Sequence, residues 1–327
     1  MIAHSKPSIS EMEIEAVCGV LRNGMLAQGA EVAAFEDAVA ALVGRRYGVA
    51  VSSGAAALHL ALVAMGINKG HAVAIPSYAC AALVQPLLWQ RAEPVLCDIG
   101  SNYGLDMATS PKICDGVIVA HLFGAEAPIP EQEGVIEDIA QSMGGNTGRA
   151  TPVAVTSFYA TKLCTTGEGG MVLTDDESIA DCIRDLRDYD NRDFFRVRYA
   201  YKMTDFQAAL GRVQVQRLPE FIRRRREIAE QYNAAFKDLP LVLPKATGHV
   251  YFRYVVASCE RAALEKHLQN EGVDAKRPVH HPAHHDLQGH YPKSERAHEE
   301  CLSIPLYPAL TTQEVEDVIQ SVVSFYD

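Results

Sequence analysis

Residues 153–174 read VAVTSFYATKLCTTGEGGMVLT. A short apolar β-type run, 153–156, opens the stretch, and a second, 170–174, closes it. Between them lie Ser157, a lone lysine, Lys162, among threonines, and the turn Gly167-Glu168-Gly169-Gly170. Turn glycines between two strands are compatible with a plain β-hairpin carrying a surface lysine. The same pattern also suits a rigid turn that presents one amine for chemistry. The flanking sequence has to choose between them.

Working outward, similar apolar runs recur at 47–52, 72–76, 94–98, 116–120 and 134–138. Near-continuous apolar strands of this kind are buried on both faces. They alternate with helical segments, which predicts a mainly parallel seven-stranded sheet in an α/β layer fold. Ligands in such sheets bind beyond the carboxyl ends of the strands. That rule picks out Ser53-Gly54-Ala55, Ser77-Tyr78, His121, Asp138 and Ser157.

At 327 residues, with 48% hydrophobic and 22% charged residues, the chain suits a soluble globular protein of two domains. A net charge of −11 argues against a general nucleic-acid binder. None of the eight cysteines forms a CxxC pair, so buried free thiols in a reducing compartment are expected. The N-terminus lacks the basic and apolar regions of a signal peptide. The most apolar window, 72–89, is interrupted by Pro76, Ser77, Gln85 and Pro86 and reads as strand, turn and buried helix rather than a membrane span.

Residues 9–43 read as two helices, the first opened by Ser10 with Glu13 three residues on. The second places Val32, Phe35, Val39 and Leu42 on one face. Residues 175–192 read as helical and 193–202 as irregular. A helix capped by Thr204 runs to about 218, and Pro219 begins another to about 239. The arginines at 223–226 read as a solvated or interface face beside Glu220, Glu227 and Glu230. A large domain, 1–220, is thus followed by a smaller α+β domain, 221–327. The latter has strands at 249–257 and 301–304, helices at 260–271 and 312–325, and a histidine-rich loop.

Three residue sets carry chemistry. Ser53-Gly54-Ala55 is a strand end running into a helix, whose backbone N–H groups suit a phosphate. Asp138 ends a buried strand, where a carboxylate is costly unless a cation meets it. A protonated pyridine nitrogen is one such cation; an aspartate capping a following helix is the alternative. Lys162 follows one strand later, with the free amine and rigid flanks that a Schiff-base lysine needs. Glu168 reads as a turn residue.

These segments, SFYATK, TGEGGMV, IEDIAQS, SGAAALHLAL and MTDFQAALGRVQVQRL, resemble the DegT family of pyridoxal-phosphate aminotransferases along nearly the whole chain. The resemblance implies a fold type I enzyme and a homodimer with active sites at the subunit interface. It implies transfer of an amino group, with glutamate as donor, to a keto sugar on a nucleotide carrier, by a ping-pong mechanism through the pyridoxamine form. Lys162 is then the lysine that binds pyridoxal 5′-phosphate as an internal aldimine and shuttles the proton. Asp138 pairs with the pyridinium nitrogen. Tyr78 stacks on the ring, Gln141 lies at its phenolic edge, and Gly54, Ala55 and Ser157 hold the phosphate. His121 lies close to the site, to touch ligand or to orient its loop. His280 and His281 sit on a loop at the substrate entrance; the resemblance offers this in place of a metal site, since the loop has no acidic or cysteine partner at ligand spacing.

The chain departs from the family where it has Ala55 for a usual threonine and Ala200 for a residue that reaches the neighbouring subunit's phosphate. Arg196, Arg198 and Lys202 are candidates to compensate. The rival readings are an aminotransferase or synthase for a cyclitol or aromatic ketone, and a cofactor-binding regulator without turnover. A dehydratase of the same scaffold carries histidine in place of Lys162. The expected partners are small molecules, the setting is cytoplasmic, and neither nucleic acid nor membrane is involved.

Overall fold

A computed structural model describes every residue except Asn191, Ala246 and Gln288. In chain order the elements begin with α1 (Glu11–Asn23), α2 (Ala30–Val43), β1 (Tyr47–Val51), α3 (Gly54–Ala64), β2 (Ala72–Pro76), α4 (Ala81–Trp89) and β3 (Glu93–Cys97). There follow β4 (Gly116–Ala120), β5 (Val135–Asp138), β6 (Val153–Ser157), β7 (Gly170–Thr174), α5 (Glu177–Leu186) and α6 (Asp205–Phe236). The chain ends with β8 (Tyr254–Ala257), α7 (Arg261–Asn270), α8 (Pro292–Glu300), β9 (Cys301–Ile304) and α9 (Thr312–Tyr326).

The first seven strands form one sheet in the order β1-β7-β6-β5-β4-β2-β3. All are parallel except β7, which runs antiparallel to β1 and β6. Residues 153–174 are therefore a strand pair after all, with the lysine in its connection. The sheet is apolar on both faces, as parallel strands covered by helices must be. Its carboxyl edge is in register, with Ala120 beside Asp138 and Asp138 beside Val155.

Two glycines set the closest approach. A Cβ on Gly170 would lie 2.2 Å from the Ser53 carbonyl oxygen, and one on Gly54 would lie 2.7 Å from Ser157 Cβ. Lacking them, the start of α3 sits directly against the end of β6 and the start of β7.

The break expected at Pro219 is absent: α6 is one helix of 32 residues with Pro219 inside and exposed. It packs on α1 and α2 at one end and on α9 at the other, so position 220 lies within it. The arginine run is also not one solvated face. Arg223 is exposed and pairs with Glu227 at 2.6 Å. Arg225 is buried, and its Nη1 donates to the carbonyls of Tyr251, Phe252 and Leu306.

Beyond α6, β8 and β9 pair antiparallel and pack with α7 and α9 around Tyr232, Phe236 and Tyr254. The strand expected from 249 begins only at Tyr254, because Tyr251 takes a φ of 52° and breaks the ladder. Val250 and Arg253 donate instead to the carbonyls of Gly124 and Phe123, tying this segment to the turn after β4. Helix α8 was not expected. Its first-turn amides, Lys293 N and Ser294 N, donate to Asp98 at 3.0 and 2.9 Å, so its cap comes from the end of β3.

All eight cysteines are free, but only Cys97, Cys164 and Cys301 are buried; Cys80 and Cys259 are exposed. Among the described residues no helix is long and apolar enough to cross a membrane.

Candidate active site

A cavity of about 320 Å³ opens at the carboxyl edge of the sheet. Gly54, Ala55, His121, Asp138, Gln141, Ser157 and Lys162 all line it. These come from the ends of β1, β4, β5 and β6 and from the β6–β7 connection, where an α/β sheet offers its loops.

At one end stands the N-terminus of α3. Ser53 Oγ accepts from Ala56 N at 3.1 Å and Ser53 O from Ala57 N at 3.0 Å. The amides of Gly54 and Ala55 belong to the first turn, which has no intrahelical acceptors, and are left for a ligand. Ser157 Oγ, across the glycine contact, accepts from Tyr159 N at 3.3 Å. The glycine cradle, the free amides and a hydroxyl fit a phosphate.

Asp138 forms the middle of the wall. Its Oδ1 accepts from Ala140 N at 2.9 Å, and a turn, not a helix, follows. Burial raises its carboxyl pKa; the Ala140 bond and the charge of Lys162 oppose that rise. A ring cation arriving there would restore the ionised form, which is the chemistry a protonated pyridine nitrogen offers. Beside it, Gln141 Oε1 accepts from Phe123 N at 2.8 Å, so its side chain is held in place.

Lys162 sits in a turn braced at both ends. Phe158 N donates to Gly169 O, Thr166 N to Phe158 O, and Lys162 N to Tyr159 O. Gly167 and Gly169 take positive φ values of 78° and 159°, which only glycine accommodates freely here. The amine lies 5.1 Å from the centroid of the Phe252 ring. Burial lowers its pKa, with Asp138 pulling the other way. A lysine so placed offers an uncharged amine more readily than a solvated one. Glu168 lies at the cavity rim, and its carbonyl accepts from Thr166 Oγ1 and Gln207 Nε2.

His121 is buried. Its Nδ1 accepts from Ala127 N at 2.9 Å, so the proton is on Nε2, which donates to Glu137 at 3.1 Å. Glu137 also accepts from Gly148 N, Ala150 N and Thr151 N. Burial alone would raise its pKa, but these donors hold it at about 2. This carboxylate, missed in the sequence, locks the 121–127 and 148–151 loops behind the cavity. An acid inside an otherwise apolar strand was the available signal.

Tyr78 is not at the cavity. It is fully buried, its hydroxyl donates to Ala297 O at 3.3 Å, and its ring packs near Tyr103 and Phe123. The chain bends at Ser77 and Tyr78 just after β2, so that Ala79 and Cys80 reach the wall while Tyr78 turns into the core. Its expected stacking on a cofactor is therefore withdrawn. His280 and His281 are both exposed and outside the lining; His281 pairs with Asp286 at 2.9 Å. From that loop it is His284 that approaches, its Nδ1 donating to Ser77 O at 3.0 Å. Among the described residues no group of three His, Cys, Asp or Glu side chains is placed to hold a metal. Arg196 and Arg198 engage Asp185, and Lys202 engages Asp188 and Asp190. None of the three lines the cavity of its own chain.

The sequence matches the DegT/DnrJ/EryC1/StrS aminotransferase family over residues 7–323. It is 34% identical to the spore coat polysaccharide biosynthesis protein SpsC of Bacillus subtilis (strain 168), across 98% of this chain and 96% of that protein. Among solved structures it resembles the aminotransferase TlmJ from Streptoalloteichus hindustanus, with a TM-score of 0.88 and 28% identity, covering 99% of this chain and 98% of that one. DesV of S. venezuelae, solved in complex with a ketimine intermediate, aligns with a TM-score of 0.89 and 27% identity over 96% and 94% of the two chains. With its α/β architecture, its cavity at the carboxyl edge of the sheet and this match, the chain belongs to the DegT/DnrJ/EryC1/StrS aminotransferase family.

Proposed function

We propose that the protein is a sugar aminotransferase that moves an amino group from glutamate to a nucleotide-linked keto sugar, in two half-reactions on one site. Its cofactor is pyridoxal 5′-phosphate, which when bound supplies an aldehyde to carry nitrogen and a ring to accept electrons. The observation that carries this reading is that Asp138, Lys162 and the α3 N-terminus line one cavity.

The chain's residues divide the work. The amides of Gly54 and Ala55 with Ser157 Oγ bind the phosphate. Asp138 holds the proton of the pyridine nitrogen. Lys162 Nζ would hold the aldehyde end of the cofactor and would move the proton at the substrate carbon. Gln141 orients the ring edge. His121 is a positioning residue, since both its nitrogens are engaged by protein.

The role of SpsC in polysaccharide biosynthesis supports a sugar acceptor. Exposed Met25, Leu26, Phe194, Phe195 and Val197 support a homodimer that brings a second copy to the site. That copy would supply what Ala55 and Ala200 lack. Eight free thiols are in keeping with a cytoplasmic setting.

Purified protein should show the visible band of a lysine-bound cofactor, and borohydride should fix it to Lys162. Glutamate should shift that band to the pyridoxamine form, and a nucleotide-linked keto sugar should shift it back. A protein that takes up no cofactor would overturn the reading. Reversal by cyclitol ketones alone would replace the sugar acceptor, and no response to any amino donor would favour a regulator.

A further inference from the structure

Behind the Lys162 turn lies a small cavity of about 10 Å³, room for one water molecule or one ion of similar size. Its lining joins parts of the chain that are far apart in sequence: residues 6–8, the lysine turn, the middle of α6, and Pro308. Lys6, Lys162 and Arg225 contribute to it, and among the described residues no Asp or Glu does. Lys162 lines the main cavity as well, so its turn is the wall between the two.

Two buried polar atoms of this lining have no partner, Ser8 Oγ and Arg225 Nε. The neighbouring polar side chains are committed. Gln214 Nε2 donates to Ser8 O and to Glu13 Oε1, each at 2.8 Å, and its Oε1 accepts from Thr165 N at 3.4 Å. Thr165 Oγ1 donates to Phe158 O and accepts from Gly167 N. Arg225 is 4% exposed, and its Nη1 is spent on three carbonyls. Those carbonyls orient the guanidinium but carry no net charge. Burial first, and then Arg253, a charge of the same sign, lower its pKa to about 9, so it is still a cation at neutral pH.

A buried polar group with no protein partner points to a bound water or ion. A water could accept from both orphan donors, yet it would leave a buried guanidinium without counter-charge, which is the costly arrangement. A small anion accepts from both and neutralises the charge. The volume leaves no room for a phosphate or a carboxylate ligand.

We propose that this cavity is a binding site for a halide-sized monovalent anion, chloride in the cell, held between Arg225 Nε and Ser8 Oγ. The anion fastens the N-terminal segment and the back of the lysine turn to α6. The site lies outside the main cavity and does not depend on the aminotransferase reading.

The test is urea unfolding of the cofactor-loaded full chain, with chloride exchanged for gluconate at constant ionic strength. Loading the cofactor occupies the α3 N-terminus, the other place where an anion could act. The wild-type midpoint should rise with chloride and then level off, as for a ligand that binds only the folded chain. Ser8→Ala should raise the half-saturating chloride concentration about tenfold, the loss of one hydrogen bond to a charged group. In gluconate it should be no less stable than wild type, because the hydroxyl it removes has no protein partner. Arg225→Met should abolish the chloride dependence; should it not fold, Ser8→Ala decides alone. Crystals grown in bromide should show an anomalous-scattering peak between Ser8 Oγ and Arg225 Nε. A midpoint indifferent to chloride, the result that a water in the cavity gives, overturns the site. So does a chloride effect unchanged in Ser8→Ala, or bromide found only elsewhere. A chain that takes up no cofactor sinks the aminotransferase reading alone, since wild type and Ser8→Ala can still be compared without it.

Discussion

At the scale of single residues, Asp138 is the sharpest test of the site. Its strand delivers it to the cavity, and among the described residues its carboxylate accepts one hydrogen bond, at Oδ1 from Ala140 N. Asp138→Asn keeps the shape and the Ala140 bond but removes the charge. It should retain the cofactor band while slowing the glutamate-driven spectral shift about 10²–10³-fold, on the scale seen when one preorganised electrostatic group is lost. Stopped-flow absorbance reads this directly, and an unchanged rate would remove Asp138 from the chemistry. The residues that share this cavity were legible because their chemistry is unusual for where they stand in sequence. A carboxylate at a strand end and a lone lysine beside glycines stand out without a structure. Tyr78 was misread because the direction of a ring in the bend after β2 is set by packing, and the core claimed that ring. Glu137 was passed over because it matters only through partners elsewhere along the chain, His121 and the 148–151 loop.

At the scale of elements, Pro219 exposes a conflict between local rule and packing. A proline inside a helix removes one backbone bond and crowds the carbonyl four residues before it. Helix α6 nevertheless runs through, because Leu218 and Ile222 on either side are buried against the body and hold the axis. The local cost is therefore still present in the folded protein. Pro219→Ala should raise the unfolding free energy by about 1–2 kcal/mol, the lost bond and clash less the entropy that alanine returns to the unfolded chain. Urea unfolding measures it, and a lower midpoint would mean that the proline shapes α6 usefully. The seven sheet strands were legible because buried parallel strands are continuous apolar runs bounded by turns. The rest was less so for physical reasons. Helix α8, PKSERAHEE, has little apolar stripe, and its cap is Asp98 from a distant strand. The segment 249–253 looks like a strand but spends its amides on the turn at 123–124.

At the scale of the whole molecule, buried histidines join segments that are distant in sequence. His4 ties the N-terminal segment to β9 through Ser303. His249, stacked on Tyr251 and accepting from Tyr251 N, sits where α6 meets the turn after β4; Arg226 Nε donates to its carbonyl. His298 in α8 faces Arg277 at 2.5 Å. Burial, first, and then nearby arginines lower their pKa values, to about 3 for His4 and about 4 for His249 and His298. In the unfolded chain each titrates near 6.5. The unfolded state therefore binds more protons below that value, and stability is full above about 6.5 and is lost as pH falls toward 4. Each group contributes a slope of at most about 1.4 kcal/mol per pH unit. The measurement is made in Asp138→Asn, because burial raises the pKa of Asp138 and that carboxyl acts with the opposite sign; the other buried carboxylates leave this window clear. Glu13 and Glu137, held at about 2, begin to lose their contribution only below their unfolded values near 4.5. Between pH 7 and pH 5 the urea midpoint should therefore fall, and His249→Asn, which keeps an acceptor but cannot titrate, should make that fall shallower. A midpoint that is flat over this range, or a slope untouched by the substitution, would show that these histidines are not buried neutral in the folded protein.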